Sequence, residues 1–556
     1  MSRFLSFPAV EGKNFSKVAA SQDTYDVCVI GSGPAGGVLS KELAEAGAKV
    51  VLIEAGRTAK FKDFHFHSWP YDFPKRVRPE PGYPKEVVES IHYDNSDAVT
   101  MDRIRVVGGR SIHWNAGCFR FAEWDFRERS TEGVEEDWPI SYGQIAPYYS
   151  YVEKIIGVCG SRDGLAVLPD GEFLPPLPMR CSDLLVKRAC DRLNIPFTAT
   201  RKALLTKPYD KRPACHYCGH CMEGCDVGAI FSVPAAMFPK ARATGNFTLL
   251  ENQLARELLV DKEGQVRAVS VIDTETRQER QITARRFAVC CASVESARLL
   301  LNSRSPQYPN GLANGSDAVG RYLHGHTVVQ MISYLEDLVG AKPTNQDGAL
   351  DHTYIPRFNM DRKSRNYVGG FQFQNQFYGF RYPYHAQHLK GFGADFKKQV
   401  RSLQPAFFHT GVFGKVLARP DNRVITDRTR IDAYGIPTAV VQFRFGENDW
   451  ALWRDMKVKA QEILHAAKAR LVIDTSPVPS GFASHEVGTA RMGNDPKTSV
   501  LNPFCQTHEV KNLYVVDGSS FVTFPEKNPT LTIMALAVRA ARYMTNEAKG
   551  LSSSNV

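Results

Sequence analysis

The chain has 556 residues, of which 43% are hydrophobic and 23% are charged, as in an ordinary soluble and folded protein. This length is enough for two to four domains, or for one large enzyme built in two parts. The net charge of +10 is small for the length, and no dense run of Lys and Arg is present, so the composition argues against a nucleic-acid-binding protein. No stretch approaches the roughly 20 consecutive apolar residues of a membrane helix.

The two ends of the chain are expected to lie outside the folded core. Residues 1–22 are predicted to form a poorly structured arm, and residues 547–556 a disordered tail. The arm lacks the apolar core of a signal peptide and has no twin arginine, so we expect no export signal in it. The twelve cysteines do not follow a secreted disulfide pattern, which favours thiols that are made or loaded in a reducing compartment.

The first predicted unit is a strand, a helix and a parallel strand over residues 25–56. "DVCVIG" and "KVVLIEAG" are short apolar runs rich in β-branched residues, which indicates buried strands. Between them, "PAGGVLSKELAEAG" has the apolar spacing of a helix, with Gly47 near its end. A helix that connects two such strands is typical of a β-α-β unit.

Gly31, Gly33 and Gly36 form a G-x-G-x-x-G motif directly after the first strand. In a dinucleotide-binding turn these glycines permit the tight turn, the approach of a pyrophosphate and the packing of helix on strand. Ser32 and Ala35 lie in the same turn, where the helix N-terminus attracts phosphate. Glu54 ends the second strand and is predicted to bind a ribose hydroxyl, which favours FAD or NAD over NADP. The alternative is a chance glycine-rich turn.

A run of four cysteines lies near the middle of the chain, in "CHYCGHCMEGC". The spacing C-x2-C-x2-C-x3-C is that of an iron–sulfur ligand run, although Asp226 replaces the proline that follows such runs in ferredoxins. The prediction is a [4Fe–4S] cluster, with [3Fe–4S] as a variant that needs three thiolates. A structural zinc site and a metal-free cysteine turn are the alternatives. The predicted ligands are Cys215, Cys218, Cys221 and Cys225.

The rest of the chain alternates between sheet and helix. Residues 247–293 are predicted to form successive antiparallel strands, followed by a helix start at "VESARLLLNS". Residues 326–450 show aromatic and Gln-rich alternation typical of a sheet, and "DWALWRDMKVKAQEILHAAKAR" predicts an amphipathic helix. Strand, turn and helix character returns from about residue 480. Dinucleotide-fold segments are thus expected at the start, middle and end of the chain, with a sheet-rich domain between them.

Three further stretches carry a family resemblance: "VVGGRSIHWNAG" at 106–117, "SHEVGTARMG" at 484–493 and "NLYVVDGSSFVTFPEKNPTLTIMALAVRAA" at 512–541. With the N-terminal unit they closely resemble the glucose–methanol–choline (GMC) oxidoreductases, FAD enzymes that oxidise alcohols and sugars. The resemblance extends from about residue 24 to residue 545 and implies an α/β fold, α+β overall. A Rossmann-like FAD domain built from discontinuous segments is joined in that fold to a substrate domain with a large antiparallel sheet.

The implied domain boundaries follow from the same resemblance. The FAD-binding domain comprises 23–125, 226–325 and 475–546. A cap or linker region that contains the cysteine run spans 126–225, and the substrate-binding domain spans 326–474.

The resemblance also implies which residues contact the flavin. They are Gly108, Gly109, Ser111, His113, Asn115, Ala116, Asp517, Gly518, Pro529 and Thr530. A histidine in the position of His113 is covalently bonded to the flavin in several family members, so a covalent bond and simple packing are both open here.

The catalytic residues are implied in the same way. His485, in the H-x-x-G-T motif, is the expected base that takes the hydroxyl proton while hydride passes to flavin N5. Asn528 is its expected partner and holds the substrate oxygen. His324 and His326 are interpreted as structural or rim residues. For the substrate, Gln372, Gln374 and Gln376 lie between aromatic residues in a pattern that suits a carbohydrate, although an ordinary polar sheet face is the alternative.

A subset of the family explains the cysteine run. In multi-subunit sugar dehydrogenases, among them glucoside 3-dehydrogenases, the flavin subunit contains an iron–sulfur centre. The resemblance to these enzymes implies a sugar or glycoside substrate, a small companion subunit with a twin-arginine signal, a cytochrome c acceptor and residence in the periplasm by co-export. The alternatives are a sugar or alcohol oxidase that uses O₂ with a structural metal site, a non-catalytic redox sensor, and a cytoplasmic location.

Overall fold

The structure is a computed structural model that describes residues 25–60, 91–94, 97, 104–219, 221, 224–342, 349–376, 384–481 and 485–550. The predicted N-terminal arm and the last six residues of the predicted tail lie outside these ranges. The strands are β1 Tyr25–Ile30, β2 Val50–Ile53, β3 Ile91–Tyr93, β4 Thr198–Ala199, β5 Phe247–Leu250, β6 Gln253–Val260, β7 Val266–Asp273, β8 Glu279–Val289, β9 His326–Leu335, β10 Thr353–Ile355, β11 Phe371–Asn375, β12 Phe407–Lys415, β13 Arg423–Ile431, β14 Pro437–Gln442, β15 Ala469–Asp474, β16 Ser480–Gly481 and β17 Leu513–Val515. The helices are α1 Pro34–Glu45, α2 Glu128–Glu132, α3 Tyr142–Ile156, α4 Cys181–Arg192, α5 Val233–Ala236, α6 Phe238–Ala243, α7 Ser293–Asn302, α8 Gly393–Leu403, α9 Glu447–Ala466 and α10 Thr530–Ala548.

The first sheet has the strand order β5-β2-β1-β8-β7-β6, with β17 also paired to β8. Strands β1, β2, β5 and β17 run parallel to their neighbours, and all four residues of β2 are buried because the sheet is covered on both faces. Strand β8 joins two halves of this sheet. Its first part pairs antiparallel with β7, and the part from Ala284 onward pairs parallel with β1.

The predicted antiparallel run over residues 247–293 is therefore right for β6, β7 and β8 and wrong for β5. Strand β5 follows the short helices α5 and α6 and lies parallel to β2, with Val50 opposite Phe247. A helical connection carries the chain back to the same edge of the sheet, where an antiparallel hairpin would reverse it.

The second sheet is antiparallel, with the order β15-β9-β12-β11-β10-β4 and β16 paired to β9. One face packs on α4 and α9 through an apolar cluster that includes Val186, Leu452 and Met456. The opposite face includes Val328 and Gln330 of β9, which line the cleft described below. Strands β13, β14 and β3 form a third, smaller sheet. The mixed α/β architecture, with one large sheet that contains the parallel strands and one that is antiparallel, agrees with the predicted fold class.

Two long helices flank the site. Helix α1 begins directly after the glycine-rich turn, with Gly33 as its N-cap, and packs against α10. Helix α10 also begins beside the site, since Pro529 and Thr530 lie at its start and line the cleft. In the described part of the chain, every helix is too short or too polar to span a lipid bilayer.

Candidate active site

A long cleft lies beyond the carboxyl ends of β1 and β2 and extends to the inner face of the second sheet. At one end it is lined by the glycine-rich turn and Glu54, and at the other by His485 and Phe413. Of the residues predicted to bind FAD, the ones that line the cleft are Gly31, Ser32, Gly33, Ala35, Glu54, Gly109, Ser111, His113, Asn115, Ala116, Asp517, Gly518, Pro529 and Thr530. Gly36 and Gly108 lie behind this wall.

The glycine-rich turn is shaped by close backbone contacts. Gly31 has a φ of +99°, which favours glycine, and a Cβ atom on Gly36 would lie 1.9 Å from the Gly31 carbonyl oxygen. A Cβ atom on Gly33, in contrast, would meet no protein atom within 4 Å. The space in front of Gly33 is therefore open to the cleft, next to the N-terminus of α1, as a bound phosphate requires.

Glu54 is held at the floor of the cleft by backbone and side-chain donors. Its carboxylate accepts hydrogen bonds from Ser32 N at 3.0 Å, Ser32 Oγ at 2.7 Å and Gly56 N at 2.9 Å. Burial raises the pKa of Glu54, and these hydrogen bonds oppose the increase. The carboxylate is thus fixed in the wall of the cleft, and its role as a ribose acceptor stays a prediction.

The segment from Gly108 to Ala116 crosses in front of the glycine-rich turn. Gly108 N donates to Ser32 Oγ at 2.9 Å, and a Cβ atom on Gly109 would lie 2.9 Å from the Gly33 Cα atom. Ser111 Oγ donates to Gly108 O and accepts from Val233 N, which ties the segment to α5. His113 is 6% exposed and lines the cleft, so its ring is in contact with the space where a flavin would lie.

Asp517 closes the opposite wall. Its Oδ2 accepts from Ala292 N at 2.9 Å and from Ser296 Oγ at 2.6 Å, and its Oδ1 accepts from Ser519 N at 2.8 Å. The two walls therefore form an elongated cradle with glycine at the close approaches and carboxylates along it. This cradle fits FAD, which would be held by the turn around Gly33, by Glu54 and by Asp517.

His485 and Asn528 meet at the end of the cleft. Asn528 Nδ2 lies 3.2 Å from His485 Nε2, although 43 residues separate them in the chain. Burial is the main reason why the pKa of His485 lies well below its usual range, and the nearby His326 and Arg110 lower it further. The ring is therefore neutral near pH 7, and a neutral ring can accept a proton.

Gln374 is one of the three predicted substrate glutamines, and it alone of the three lines the cleft. Its Nε2 donates to Asn528 Oδ1 at 2.6 Å, which fixes the orientation of the Asn528 amide. Gln376 follows the end of β11 with a φ of +61° and donates to Ser182 Oγ, away from the cleft. Gln372 is fully buried opposite Phe413, and neither polar atom of its side chain has a partner among the described residues.

Several ionisable residues of the cleft were not predicted from the sequence, among them Arg110, Glu486 and Asp351. Arg110 Nη2 forms a 2.9 Å ion pair with the buried Glu486. Asp351 is 1% exposed, lines the cleft, and its Oδ1 has no partner among the described residues. Burial raises the pKa of Asp351 to about 7, against the opposing effects of Lys202 and Asn115. Glu486 lies within the H-x-x-G-T motif, but Asp351 has no sequence signal because only the tertiary fold brings it to the cleft.

The cysteine run lies apart from the cleft. Cys221 is buried, Cys215, Cys218 and Cys225 are half-buried, and Tyr217 N donates to Cys215 Sγ at 3.3 Å. Burial raises the pKa of Cys215 to about 12, and the other three cysteines add to the increase. Among the described residues, which exclude residues 220, 222 and 223, no group of three or more His, Cys, Asp or Glu side chains is arranged to hold a metal ion. The predicted iron–sulfur cluster is therefore not supported by this arrangement.

Comparisons with known proteins agree with this geometry. The GMC oxidoreductase family matches in two parts, its N-terminal model over residues 25–328 and its C-terminal model over residues 418–537. The chain is 32% identical to 2-methyl-1,2-propanediol dehydrogenase of Mycolicibacterium austroafricanum, over 95% of this chain and 96% of that protein. It is 27% identical to the fructose dehydrogenase large subunit of Gluconobacter japonicus, over 94% of this chain and 98% of that protein.

A solved structure shows the same fold. Pyridoxine 4-oxidase from Mesorbium loti matches with a TM-score of 0.61 at 17% identity, over 94% of this chain and 99% of that one. The chain belongs to the GMC oxidoreductase family. The predictions of the family, of FAD as the cofactor and of an oxidoreductase that acts on CH–OH groups are confirmed.

Proposed function

We propose that the protein is an FAD-dependent sugar dehydrogenase, with a glycoside as the preferred type of substrate. The observation that carries this proposal is the His485–Asn528 pair at the end of a dinucleotide cleft, beside the amide of Gln374. A neutral imidazole and an oriented amide are the groups that a sugar hydroxyl needs for removal of its proton and for fixing its oxygen.

The proposed mechanism uses this chain's own groups for proton removal and orientation. One hydrogen of Asn528 Nδ2 faces His485, and the other is free to donate to the substrate oxygen. His485 Nε2 takes the hydroxyl proton, because burial keeps the ring unprotonated near pH 7. When bound in the cleft, FAD would supply the acceptor for the hydride that leaves the carbon bearing this hydroxyl. The alcohol becomes a carbonyl as the proton and the hydride depart.

A polyhydroxyl substrate is favoured by the groups around this pair. Gln330, Gln374 and Asp351 all line the cleft, and Asp351 Oδ1 is an acceptor without a partner among the described residues. Sugars present several hydroxyl donors at once, so they satisfy acceptors that a simple alcohol leaves unpaired. The similarity to a fructose dehydrogenase large subunit points in the same direction.

The proposed exit for electrons is a cytochrome c, reached through an iron–sulfur centre at the cysteine run. The donor set of four thiols suits such a centre. Hydrogen bonds connect the run to the wall of the cleft: Cys215 N donates to Leu205 O, and Leu205 N donates to Ala229 O. Two residues further along the chain, Phe231 O accepts from Trp114 Nε1 at 2.8 Å, and Trp114 lines the cleft. The described residues of the run form no metal-binding group, so no step of the mechanism above uses them.

A companion subunit and residence in the periplasm belong to the same proposal. The name of the relative, a large subunit, implies an assembly of more than one chain for that protein. Co-expression of this chain with its neighbouring genes, followed by fractionation of the periplasm, tests both points. A wholly cytosolic and unaccompanied protein would contradict them.

The central experiment is anaerobic reduction of the FAD-loaded protein by glycosides, free sugars and simple alcohols. We expect bleaching of the flavin absorbance by glycosides, at a rate that His485→Ala lowers strongly. Turnover with cytochrome c and little oxygen uptake is expected of a dehydrogenase, whereas rapid oxygen uptake would favour the oxidase alternative. Absence of reduction by any sugar would contradict the proposed substrate.

Iron and acid-labile sulfide should be measured in the same anaerobically purified protein. We expect about four of each per chain if the cluster is present. Cys221→Ser should then abolish reduction of cytochrome c while flavin reduction by sugar persists. A protein without iron, in which Cys221→Ser lowers both activities together, would contradict the electron exit.

A further inference from the structure

His326 is the first residue of β9, and both of its ring nitrogens are bonded. The side chain is fully buried and stacks on Phe524 at 4.3 Å between ring centroids, with 10° between the ring planes. Its Nε2 lies 2.8 Å from Pro525 O, and its Nδ1 lies 3.0 Å from His485 Nδ1. His326 therefore contacts the nitrogen of His485 that faces away from Asn528.

These contacts determine where the hydrogen of His326 lies. A carbonyl oxygen only accepts hydrogen bonds, so the bond to Pro525 O requires a hydrogen on His326 Nε2. Burial lowers the pKa of His326 to about 4, so the ring is neutral near pH 7 and carries one hydrogen only. His326 Nδ1 is then an unprotonated acceptor.

The same reasoning shows which ring nitrogen of His485 carries its hydrogen. Two ring nitrogens 3.0 Å apart share one hydrogen, and His326 Nδ1 has none to give. His485 Nδ1 must therefore be the donor, which leaves Nε2 of the neutral ring without a hydrogen. This bare nitrogen is the atom that lies 3.2 Å from Asn528 Nδ2, whose amide is oriented by Gln374.

We propose that His326 is a positioning residue that selects the tautomer of His485, so that the unprotonated nitrogen faces the substrate. The proposal rests on the proposed function, in which His485 is the base. The hydrogen-bonded series then extends from the backbone carbonyl of Pro525 through the His326 and His485 rings to the substrate oxygen.

The hydrogen bond to His326 also stabilises the protonated His485 ring after proton transfer. Once His485 Nε2 has taken the hydroxyl proton, both nitrogens carry hydrogen, and His326 Nδ1 still accepts from Nδ1. Without His326, the Nδ1 hydrogen would lose its acceptor in a buried site next to Phe413. The opposite tautomer would then put a hydrogen on Nε2, where the substrate proton has to be received.

Two substitutions at His326 separate packing from hydrogen bonding. His326→Phe keeps an aromatic ring against Phe524 and removes both polar bonds. His326→Asn replaces Nδ1 with an amide oxygen that can accept from His485. His324→Asn is the matched control, because His324 is equally buried two residues away, bonds to Tyr322 O and makes no hydrogen bond to His485.

The measurement is the limiting rate of flavin reduction by a saturating sugar. We expect His326→Phe to lower it roughly 10- to 1,000-fold, since the wrong tautomer of a catalytic histidine costs up to about 10⁴-fold in serine proteases. His326→Asn should recover at least about tenfold of that loss, and His324→Asn should stay within about threefold of the wild type. A wild-type rate in His326→Phe, or no recovery in His326→Asn, would overturn the proposal.

A second measurement needs no substitution at His326, and it stands even if the phenylalanine variant does not fold. Protein labelled with ¹⁵N-histidine distinguishes protonated from bare ring nitrogens, and the signals that disappear in His485→Ala identify that ring. We expect hydrogen on Nδ1 and none on Nε2, and the reverse tautomer would overturn the proposal. If His485→Ala instead reduces its flavin at the wild-type rate, the proposed base is wrong, whereas the labelled spectrum still reports the tautomer.

Discussion

The two large sheets contribute to the cleft in different ways. The parallel strands β1 and β2 of the first sheet are largely apolar and buried, so they reach the cleft through their last residues, Ile30 and Ile53, and through the turns beyond them. The second sheet instead presents the side chains of one face, among them Gln330, Gln374 and Phe413. Backbone groups and glycines therefore dominate the end of the cleft beside Gly33 and Glu54, called the dinucleotide end. Side chains dominate the end beside His485 and Phe413, called the substrate end.

This difference has an energetic counterpart. At the dinucleotide end, backbone atoms leave no room for a larger residue at Gly36, since a Cβ atom there would lie 1.9 Å from the Gly31 carbonyl oxygen. At the substrate end, Asp351 lines the cleft with an Oδ1 that has no partner among the described residues, a condition that costs stability. Substitutions at the two ends should consequently fail in different ways.

The largest effect is expected at the substrate end. His485→Ala should lower the rate of flavin reduction about 10²- to 10⁴-fold, because general-base catalysis contributes about that much, while FAD stays bound. Stopped-flow reduction and the flavin absorbance of the purified variant measure both quantities. A variant that reduces its flavin at the wild-type rate would show that His485 is not the base.

Two glycine variants at the dinucleotide end distinguish a methyl group that disturbs folding from one that only obstructs FAD. Gly36→Ala should destabilise the protein by about 1–3 kcal/mol or more, because its Cβ would overlap the Gly31 carbonyl oxygen. Gly33→Ala has room and an allowed φ of −63°, so it should fold normally and weaken FAD binding at least about tenfold. Thermal unfolding of the FAD-free proteins and titration with FAD separate the two. Equal loss of stability in both variants would contradict the open space at Gly33.

Gln374→Leu tests the side-chain orientation at the substrate end. Loss of the hydrogen bond to Asn528 Oδ1 leaves a buried amide unsatisfied, which costs about 1–3 kcal/mol. We expect flavin reduction to slow about tenfold, with a smaller change in the apparent affinity for sugar. A change confined to affinity would mean that Gln374 binds substrate and does not orient Asn528.

Gln372→Leu is the matched variant two residues away on the same strand. Its amide has no partner among the described residues, so we expect a gain of about 1 kcal/mol in the free energy of unfolding, and unchanged flavin reduction. Denaturant unfolding measures the gain. A marked loss of sugar affinity would support the sequence-based assignment of Gln372 to the substrate.

The smallest effect is expected when the pH is lowered, and it concerns the rate of flavin reduction. A histidine with an ordinary pKa near 6.5 would lose about tenfold of its unprotonated form by pH 5.5. Because burial lowers the pKa of His485 well below that value, the unprotonated form persists, and flavin reduction should change less than about twofold between pH 8 and 5.5. A tenfold decrease centred near pH 6.5 would show that His485 titrates normally.

Prediction from the sequence succeeded where function depends on local backbone geometry. The strand, turn and helix over residues 25–53 formed as expected because apolar periodicity and the glycine spacing both act within a few residues. The prediction for β5 was wrong because its partner, β2, lies almost 200 residues away in the chain. Periodicity gives no information about the direction of a distant partner strand.

The histidines and glutamines of the substrate end show the same limit. The H-x-x-G-T motif pointed to His485, but no pattern in the sequence showed that His326, interpreted as a structural or rim residue, contacts His485. Among the glutamines, alternation placed all three on one face in principle, yet only Gln374 reaches the cleft. At Gln376 the left-handed backbone and the hydrogen bond to Ser182 take the side chain away from the cleft.

The amino-acid sequence by itself determined the family and the glycine-rich turn, and it pointed to His485 and Asn528, because each depends on residue types within a short motif. Only the tertiary structure decided that the Pro525 carbonyl, His326, His485, Asn528 and Gln374 form one hydrogen-bonded series. The physical reason is that hydrogen bonds are short-ranged and directional, whereas the groups that form this series are brought together from three distant parts of the chain.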